Sequence, residues 1–215
     1  NFREPMIQDI RVRQAMYMAI DRELIIDTLY DGAATRLKSL YATESETDPN
    51  CVMWEYDPEK AKALLKEAGY PDGFEVTLDS PNDRYVNDDK ISQAIASQLA
   101  RIGIKTSVNA IPKKTFFPMT DRREASFFLI GWSCATGDAS AFLDGIAHTH
   151  DKERGYGRYN RGRYSNPEVD KLIEAASATV NQQERLKSMP VKPMTPVSPK
   201  ALNPLPGTPL PPESV

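Results

Sequence analysis

The chain has 215 residues, and its 27 Lys and Arg against 30 Asp and Glu give a formal charge of −3. A slightly negative net charge creates no positive potential that would bind a phosphate backbone, so the composition argues against sequence-independent nucleic-acid binding. The 40% of apolar and 27% of charged residues are typical of a globular protein, and no apolar run approaches the roughly 18–20 residues that cross a bilayer.

The N-terminal part predicts two consecutive helices and then a loop. Residues 9–30 carry apolar side chains at helical spacing. Asp9 and Asp21 each precede such a run and suit the N-cap position, and Gly32 ends the second helix. Residues 33–56 have no sustained period and predict an ordered surface loop.

From Asp57 onward the sequence alternates between helical and strand patterns. The predicted elements are a helix opening at Asp57-Pro58, a strand over 74–78, a helix over 88–102, a strand over 104–110, a short helix over 112–121 and a fully buried strand over 126–132. This order indicates an α/β fold with a mixed or parallel sheet flanked by helices. Ligands of open sheets collect beyond the carboxyl ends of strands, so the loops after Leu78, Ala110 and Ile130 are the candidate ligand loops.

The remaining sequence predicts two more helices and a different kind of tail. One helix begins near Asp138, and another opens at Asn166-Pro167 after a loop rich in Gly, Arg and Tyr. Nine of the 17 prolines fall in the last 26 positions. Residues 188–215 are therefore predicted to be extended or disordered chain, because proline lacks the backbone donor and fixes φ. This tail is interpreted as a linker or, alternatively, as a PxxP ligand.

Few residues are candidates for chemistry. Cys51 and Cys134 are interpreted either as a single bridge or as two buried free thiols. His148 and His150 lie in a polar stretch without a cysteine or carboxylate cluster, so they are interpreted as solvated loop histidines rather than metal ligands. No nucleophile, metalloprotease, Walker or dinucleotide motif is present, and Asp88-Asp89 is interpreted as a helix-capping pair. We expect neither catalysis nor a cofactor.

Five phrases in order resemble one protein family. They are DIRVRQAMYMAIDRELIID, YDPEKAKALLKEAGYPDGFEVTL, IASQLARIGIKTSVN, FFLIGW and RYSNPEVDKLIEAA. The phrases, spread over residues 1–187, resemble the C-terminal lobe of the extracellular solute-binding proteins that serve peptide and nickel ABC importers. The resemblance implies a two-lobed, periplasmic-binding-protein-like clamshell, of which the N-terminal lobe and a signal peptide have no counterpart here. It ends near Lys187, which sets the boundary between the lobe at 1–187 and the tail at 188–215.

The resemblance also implies candidate ligand contacts. In dipeptide-binding relatives an aspartate a few positions beyond the GW strand pairs with the peptide amine, but here Ala135 occupies that position. Asp138 is the next carboxylate, and in relatives it more often caps the following helix. The small residue followed by Thr-Gly-acid is closer to some glutathione-binding relatives. Arg84 follows the first strand, from where an arginine of related peptide binders contacts the ligand carboxylate; the alternative is a solvated surface arginine.

Aromatic and polar side chains complete the candidate site. Trp132 ends a predicted strand and suits an apolar pocket wall with one polar atom, or else an ordinary core position. The loop around Tyr159, Asn160 and Arg161 mixes aromatics, cations and amides, as an amphipathic peptide requires. Basic-aromatic loops also bind single-stranded nucleic acid, but one such loop on an acidic chain argues against that partner.

These patterns lead to one function and one alternative. We expect the chain to capture peptides or related small solutes such as glutathione by lobe closure and to deliver them to a membrane permease of an ABC importer, in the periplasm or outside the cell. The isolated lobe is expected to bind ligand weakly or not at all. The alternative is a non-catalytic scaffold or interaction protein that recruits a partner through its Pro-rich tail.

Overall fold

The computed structural model describes residues 4–37, 54–133, 138–181 and 183–185. Its helices and strands, in chain order, are α1 (Pro5–Gln8), α2 (Ile10–Met18), α3 (Arg22–Tyr30), α4 (Pro58–Glu67), β1 (Glu75–Pro81), α5 (Asp88–Ala100), β2 (Lys105–Ile111), α6 (Lys113–Asp121), β3 (Phe127–Phe128), α7 (Ser140–Phe142), a π-helical turn (Leu143–Ala147) and α8 (Pro167–Ala178). The predicted α/β class is confirmed.

The three strands form one parallel sheet in the order β2-β1-β3. β1 pairs with β2 from Glu75 opposite Lys105 to Pro81 opposite Ile111. Because the strands are parallel, their carboxyl ends lie at one edge of the sheet. We call this the carboxyl edge; the loops 82–87 and 129–133 leave the sheet there after β1 and β3.

Four of the predicted helix starts are confirmed by side-chain caps. Asp9 accepts a hydrogen bond from the backbone of α2, Asp21 from that of α3, and Asp57 from that of α4. Asn166 accepts from the N–H groups of Glu168 and Val169 at the start of α8. Each cap satisfies a donor that has no partner inside the helix, so local sequence chemistry sets these boundaries.

Two hydrophobic clusters hold the elements together. The larger one packs the first helices and α4 against β1, α5 and the start of β2, with its buried members including Val12, Ala15, Ala61, Leu65, Leu99 and Ile104. The smaller one joins α7, the π-helical turn and α8 through Phe142, Leu143 and Ile173. Leu64 and Ala68 also pack against the larger cluster, as the apolar face predicted for α4 requires.

Two strand predictions are wrong in extent. β1 continues through Pro81, although Asp79 and Ser80 were predicted to open a polar loop, because the parallel pairing with β2 persists and Asn109 donates to the buried Asp79 carboxylate at 2.8 Å. β3 was predicted as a fully buried strand over 126–132. It pairs with β1 at only two half-buried residues, Phe127 and Phe128, and within the described residues no strand lies beyond it.

Several predictions fall outside the described residues. Cys51, Cys134, Ala135 and the tail over 188–215 are among them, as is most of the loop predicted over 33–56. The lobe boundary and the scaffold alternative therefore stay predictions. Within the described ranges no helix is long and apolar enough to cross a membrane.

Candidate functional site

Two aromatic side chains lie exposed beside the carboxyl edge. Trp132 is 41% exposed and Tyr159 is 38% exposed, and their rings meet edge to face with centroids 5.3 Å apart. Gly145 of the π-helical turn lies against both rings, because a Cβ there would be 3.3 Å from the Trp132 ring and 3.4 Å from the Tyr159 ring. We call Trp132 and Tyr159 the aromatic shelf. The described structure does not place Trp132 in a core.

The loop after β1 is fixed against the loop after β3. The buried carboxylate of Asp88 accepts hydrogen bonds from the backbone N–H groups of Arg84 at 2.9 Å and Tyr85 at 3.0 Å. The Tyr85 hydroxyl donates to the carbonyl of Gly131 at 3.3 Å, next to Trp132. The side chain of Arg84 is exposed, with its guanidinium carbon 5.1 Å from the Tyr85 ring centroid. Arg84 is thus held on the loop whose Tyr85 bonds the residue preceding Trp132.

Asn160 is buried and its side-chain amide is bonded within its own loop. The residue is 5% exposed. Its Nδ2 donates to the carbonyls of His148 at 3.0 Å and Tyr164 at 2.6 Å, and its Oδ1 accepts from the N–H of Tyr164 at 3.0 Å. Asn160 therefore shapes the loop that presents Tyr159.

Arginines flank the aromatic shelf. Arg158 is exposed, and its guanidinium carbon lies 5.5 Å from the Tyr159 ring centroid. The side chain of Arg161 is only 13% exposed and forms an ion pair with Asp121 at 2.6 Å, while its guanidinium carbon lies 5.7 Å from the same ring centroid. In the described part of the chain, Arg84 and Arg158 have no carboxylate partner. The shelf thus carries positive charge that a carboxylate of a ligand would neutralise.

Asp138 acts as a cap and an ion-pair partner. Its Oδ1 accepts from the N–H of Ser140 at 2.8 Å, and its Oδ2 pairs with Arg185. The hydrogen bonds from Ser140, followed by the bond and charge of Arg185, lower the pKa of Asp138 to about 2. The carboxylate therefore stays ionised and occupied, as a helix-capping role requires.

The aromatic shelf is an open surface and not a closed pocket. A polar cavity of about 210 Å³ lies beside α7 and the end of α8, lined by Ser140, Asp144, Ala176, Ser177, Thr179 and Arg185. It contains none of the shelf residues. An open aromatic surface binds a small ligand well only when something covers the ligand's other side, because small-molecule sites bury most of the ligand.

The interpretation of His148 as a solvated histidine is wrong. Its ring is 1% exposed and stacks on Tyr156 with centroids 4.1 Å apart, whereas His150, two residues further, is exposed. Their spacing gave no signal for this difference, because side chains at i and i+2 of an extended segment lie on the same side. Sequence reasoning also missed Tyr85 and Gly145, whose roles depend on contacts between loops distant in sequence. Within the described residues no cluster of three or more His, Cys, Asp or Glu side chains is arranged to hold a metal ion.

The chain is similar in sequence and in fold to known proteins. A family model described as bacterial extracellular solute-binding proteins, family 5 Middle, matches residues 1–154. Heme-binding protein A of Haemophilus influenzae is 31% identical over 196 residues, which are 87% of this chain and 34% of that protein. The glutathione-binding protein GsiB of Salmonella paratyphi A is 33% identical over 182 residues, 82% of this chain and 35% of that protein. The chain thus spans roughly a third of the length of these curated relatives.

A solved structure gives the same fold. The dipeptide binding protein from Pseudoalteromonas sp. SM9913, in complex with Met-Leu, is 27% identical and aligns with a TM-score of 0.77. The alignment covers 87% of this chain and 37% of that chain. The sheet and helices described above therefore correspond to one part of a larger periplasmic binding protein.

Proposed function

The chain belongs to the bacterial extracellular solute-binding proteins of family 5, and from this premise we propose that it forms one lobe of a two-lobed protein that captures peptides or related small solutes, such as glutathione, at its carboxyl edge. The bound solute passes to the membrane permease of an ABC importer, and the protein works in the periplasm or outside the cell. Proteins of this family bind solutes for transport, and we propose that this chain likewise carries out no chemistry.

The exposed aromatic shelf is the observation that carries the proposal. Two amphipathic rings lie open at the edge where parallel sheets bind ligands. Aromatic side chains bury large areas, so a solute that covers Trp132 and Tyr159 gains hydrophobic contact while the polar atoms of both rings remain available. A second lobe, from the length of the relatives that this chain does not span, covers the solute's other side.

Closure of the two lobes needs no chemical step. The open and closed states are in equilibrium, and a solute shifts that equilibrium by contacting both lobes only in the closed state. One lobe alone supplies only part of these contacts. We therefore expect this chain to bind solute weakly by itself.

The charges beside the shelf favour a solute that bears a carboxylate. Arg84 and Arg158 are exposed cations with no described carboxylate partner, whereas Asp138 is already paired with Arg185. A guanidinium donates two parallel hydrogen bonds to a carboxylate, and this geometry gives orientation as well as attraction. Peptides and glutathione carry such a group at the C-terminus.

A fluorescence titration tests the proposal. Because the chain has two tryptophans, the W54F variant reports on Trp132 alone, and Trp54 lies away from the shelf against Tyr17. We expect glutathione and Met-Leu to change Trp132 emission at high solute concentration, and the R84Q/R158Q change to weaken this response about two- to tenfold.

Two results would contradict the proposal. Unchanged Trp132 emission with both solutes, while calorimetry detects binding, would remove the shelf from the binding site. Submicromolar binding by this chain alone would remove the need for a second lobe. The matched control is K62Q on α4, which also removes an exposed cation but lies away from the shelf, and we expect it to leave the response unchanged.

A further inference from the structure

The buried ring of His148 faces oxygen acceptors at both nitrogens. Nδ1 lies 2.7 Å from the carbonyl oxygen of Thr149, and Nε2 lies 3.1 Å from Oε1 of Glu174 on α8. Neither a carbonyl oxygen nor a carboxylate can donate a hydrogen bond. Both bonds therefore form together only when both ring nitrogens carry a hydrogen.

Charged side chains from three parts of the fold surround the ring. Asp170 of α8 places Oδ1 3.7 Å from Nδ1, and the Asp144 carboxylate of the π-helical turn also interacts electrostatically with the ring. The guanidinium of Arg154 contacts the same Glu174 oxygen at 2.9 Å. The hydrogen bond from His148, followed by that from Arg154, holds the pKa of Glu174 below its usual range, so the acceptor at Nε2 stays anionic.

The same residue holds the loop that carries Tyr159. The carbonyl of His148 accepts a hydrogen bond from Nδ2 of Asn160, the neighbour of Tyr159, at 3.0 Å. Its ring stacks on Tyr156, which pairs with Asp151 across the same loop. Glu174 is thus connected through His148 and Asn160 to the aromatic shelf.

We propose that His148, with both ring nitrogens protonated, is a positioning residue that ties the loop over 148–164 to α8 and thereby holds Tyr159 against Trp132. Loss of either ring proton leaves a nitrogen lone pair facing an oxygen lone pair and breaks one of the two bonds. Loss of either bond therefore loosens the shelf. The importance of this loosening for solute capture rests on the proposed function, but the positioning itself does not.

The W54F/H150Q variant allows the His148 ring and the Trp132 indole to be observed without signals from another histidine or tryptophan. The chain has two histidines and two tryptophans, so this variant retains only His148 and Trp132. His150 is exposed and bonds the carbonyl of Gly157 through Nδ1, and its replacement removes the other imidazole of this loop. The ring nitrogens are followed by ¹⁵N NMR and Trp132 by its emission, both as a function of pH and without solute.

We expect the NMR spectrum to show two protonated ring nitrogens, and Trp132 emission to change over the same pH range in which one of them loses its proton. The E174Q change keeps an acceptor oxygen but removes the charge, and we expect it to move both transitions together to lower pH. The matched control E168Q alters an exposed carboxylate of the same helix, and we expect it to move neither. In H148Q the emission step is expected to disappear.

Two outcomes would overturn the proposal. One is a ring with a single protonated nitrogen at every pH at which the chain is folded. The other is a ring transition that leaves Trp132 emission unchanged. Both are measured on a chain that retains His148, so they stand even where H148Q fails to fold. Because no solute is used, either outcome removes the positioning role and leaves the proposed function to the titration with glutathione and Met-Leu.

Discussion

Replacement of Gly157 by alanine should disrupt the loop that presents Tyr159. Gly157 has φ of +61°, and a Cβ there would lie 2.5 Å from the carbonyl oxygen of His148 and 2.7 Å from the Cα of His150. Both contacts are shorter than side-chain atoms tolerate. The loop backbone must therefore move, and the carbonyl that would move first is the one that accepts the hydrogen bond from Asn160.

Gly155 provides the matched control for the loss of unfolding free energy expected in G157A. Its φ is +82°, also in the left-handed region, but a Cβ there has no atom within 4 Å. The left-handed conformation costs a residue with a Cβ about 1–2 kcal/mol, which is the cost expected for G155A. Overpacking adds about 1–3 kcal/mol, so we expect G157A to lower the free energy of unfolding by about 2–5 kcal/mol.

Urea unfolding and Trp132 emission, both in the W54F background, measure the two effects. We expect the two variants to differ by about 1–3 kcal/mol in unfolding free energy, which is about 2–12 °C in Tm for a domain of this size. Only G157A should also shift the emission of the folded chain, because only it displaces the loop beneath Tyr159. Equal costs for G157A and G155A, with unchanged emission, would refute the described loop geometry.

Two further variants test the residues that support the carboxyl edge. The pKa of Asp138, about 2 in the folded chain against an ordinary 3.8, means that its stabilising contribution is present above pH 3.8 and is lost as the pH falls through about 2. We expect D138N to remove about 1–2 kcal/mol at neutral pH, after allowance for solvent screening, and almost nothing at pH 2, as urea unfolding at each pH will show. D88A removes the buried acceptor of the N–H groups of Arg84 and Tyr85 and should cost about 2–4 kcal/mol. D89A, at the exposed neighbour, should cost under about 1 kcal/mol, and equal costs for these two would contradict the role given to Asp88.

Local chemistry explains why the sequence predicted the helices well. The caps at Asp21 and Asp57 accept hydrogen bonds from donors only three residues ahead, at Leu24 and Lys60. A short stretch of sequence therefore determines where each helix begins. The same holds for Asn166 and α8. The alternation of these helices with apolar strands was sufficient to predict the α/β class.

Pairing between distant segments explains the errors in the strands. Asp79 belongs to β1 because β2 pairs with it and supplies Asn109, which is 30 residues away in the chain. The composition around Asp79 is that of a loop, and the neighbouring residues in the sequence do not indicate that Asn109 will pair with it. β3 was predicted too long because an apolar run does not reveal where pairing with the neighbouring strand stops.

The sequence predicted where several candidate residues lie in the fold, but not the contacts that each of them makes. Trp132, Arg84 and Tyr159 do lie at or beside the carboxyl edge, and their contact with a solute stays a prediction, as does that of Arg161. Asn160 differs from its neighbour Tyr159 because its amide is bonded to two carbonyls of the loop, which no spacing rule reveals. The burial of His148 likewise depends on Glu174 of α8, 26 residues further along the chain.

Site-resolved NMR of this chain titrated with glutathione locates the solute on its surface. We expect the largest shifts in the indole N–H of Trp132 and the backbone amides of Gly131, Gly145 and Tyr159, with smaller shifts elsewhere. Weak affinity does not prevent this measurement, because fast exchange still reports the position of the contact. Largest shifts around the polar cavity lined by Ser140 and Ser177, with the aromatic shelf unchanged, would contradict the account.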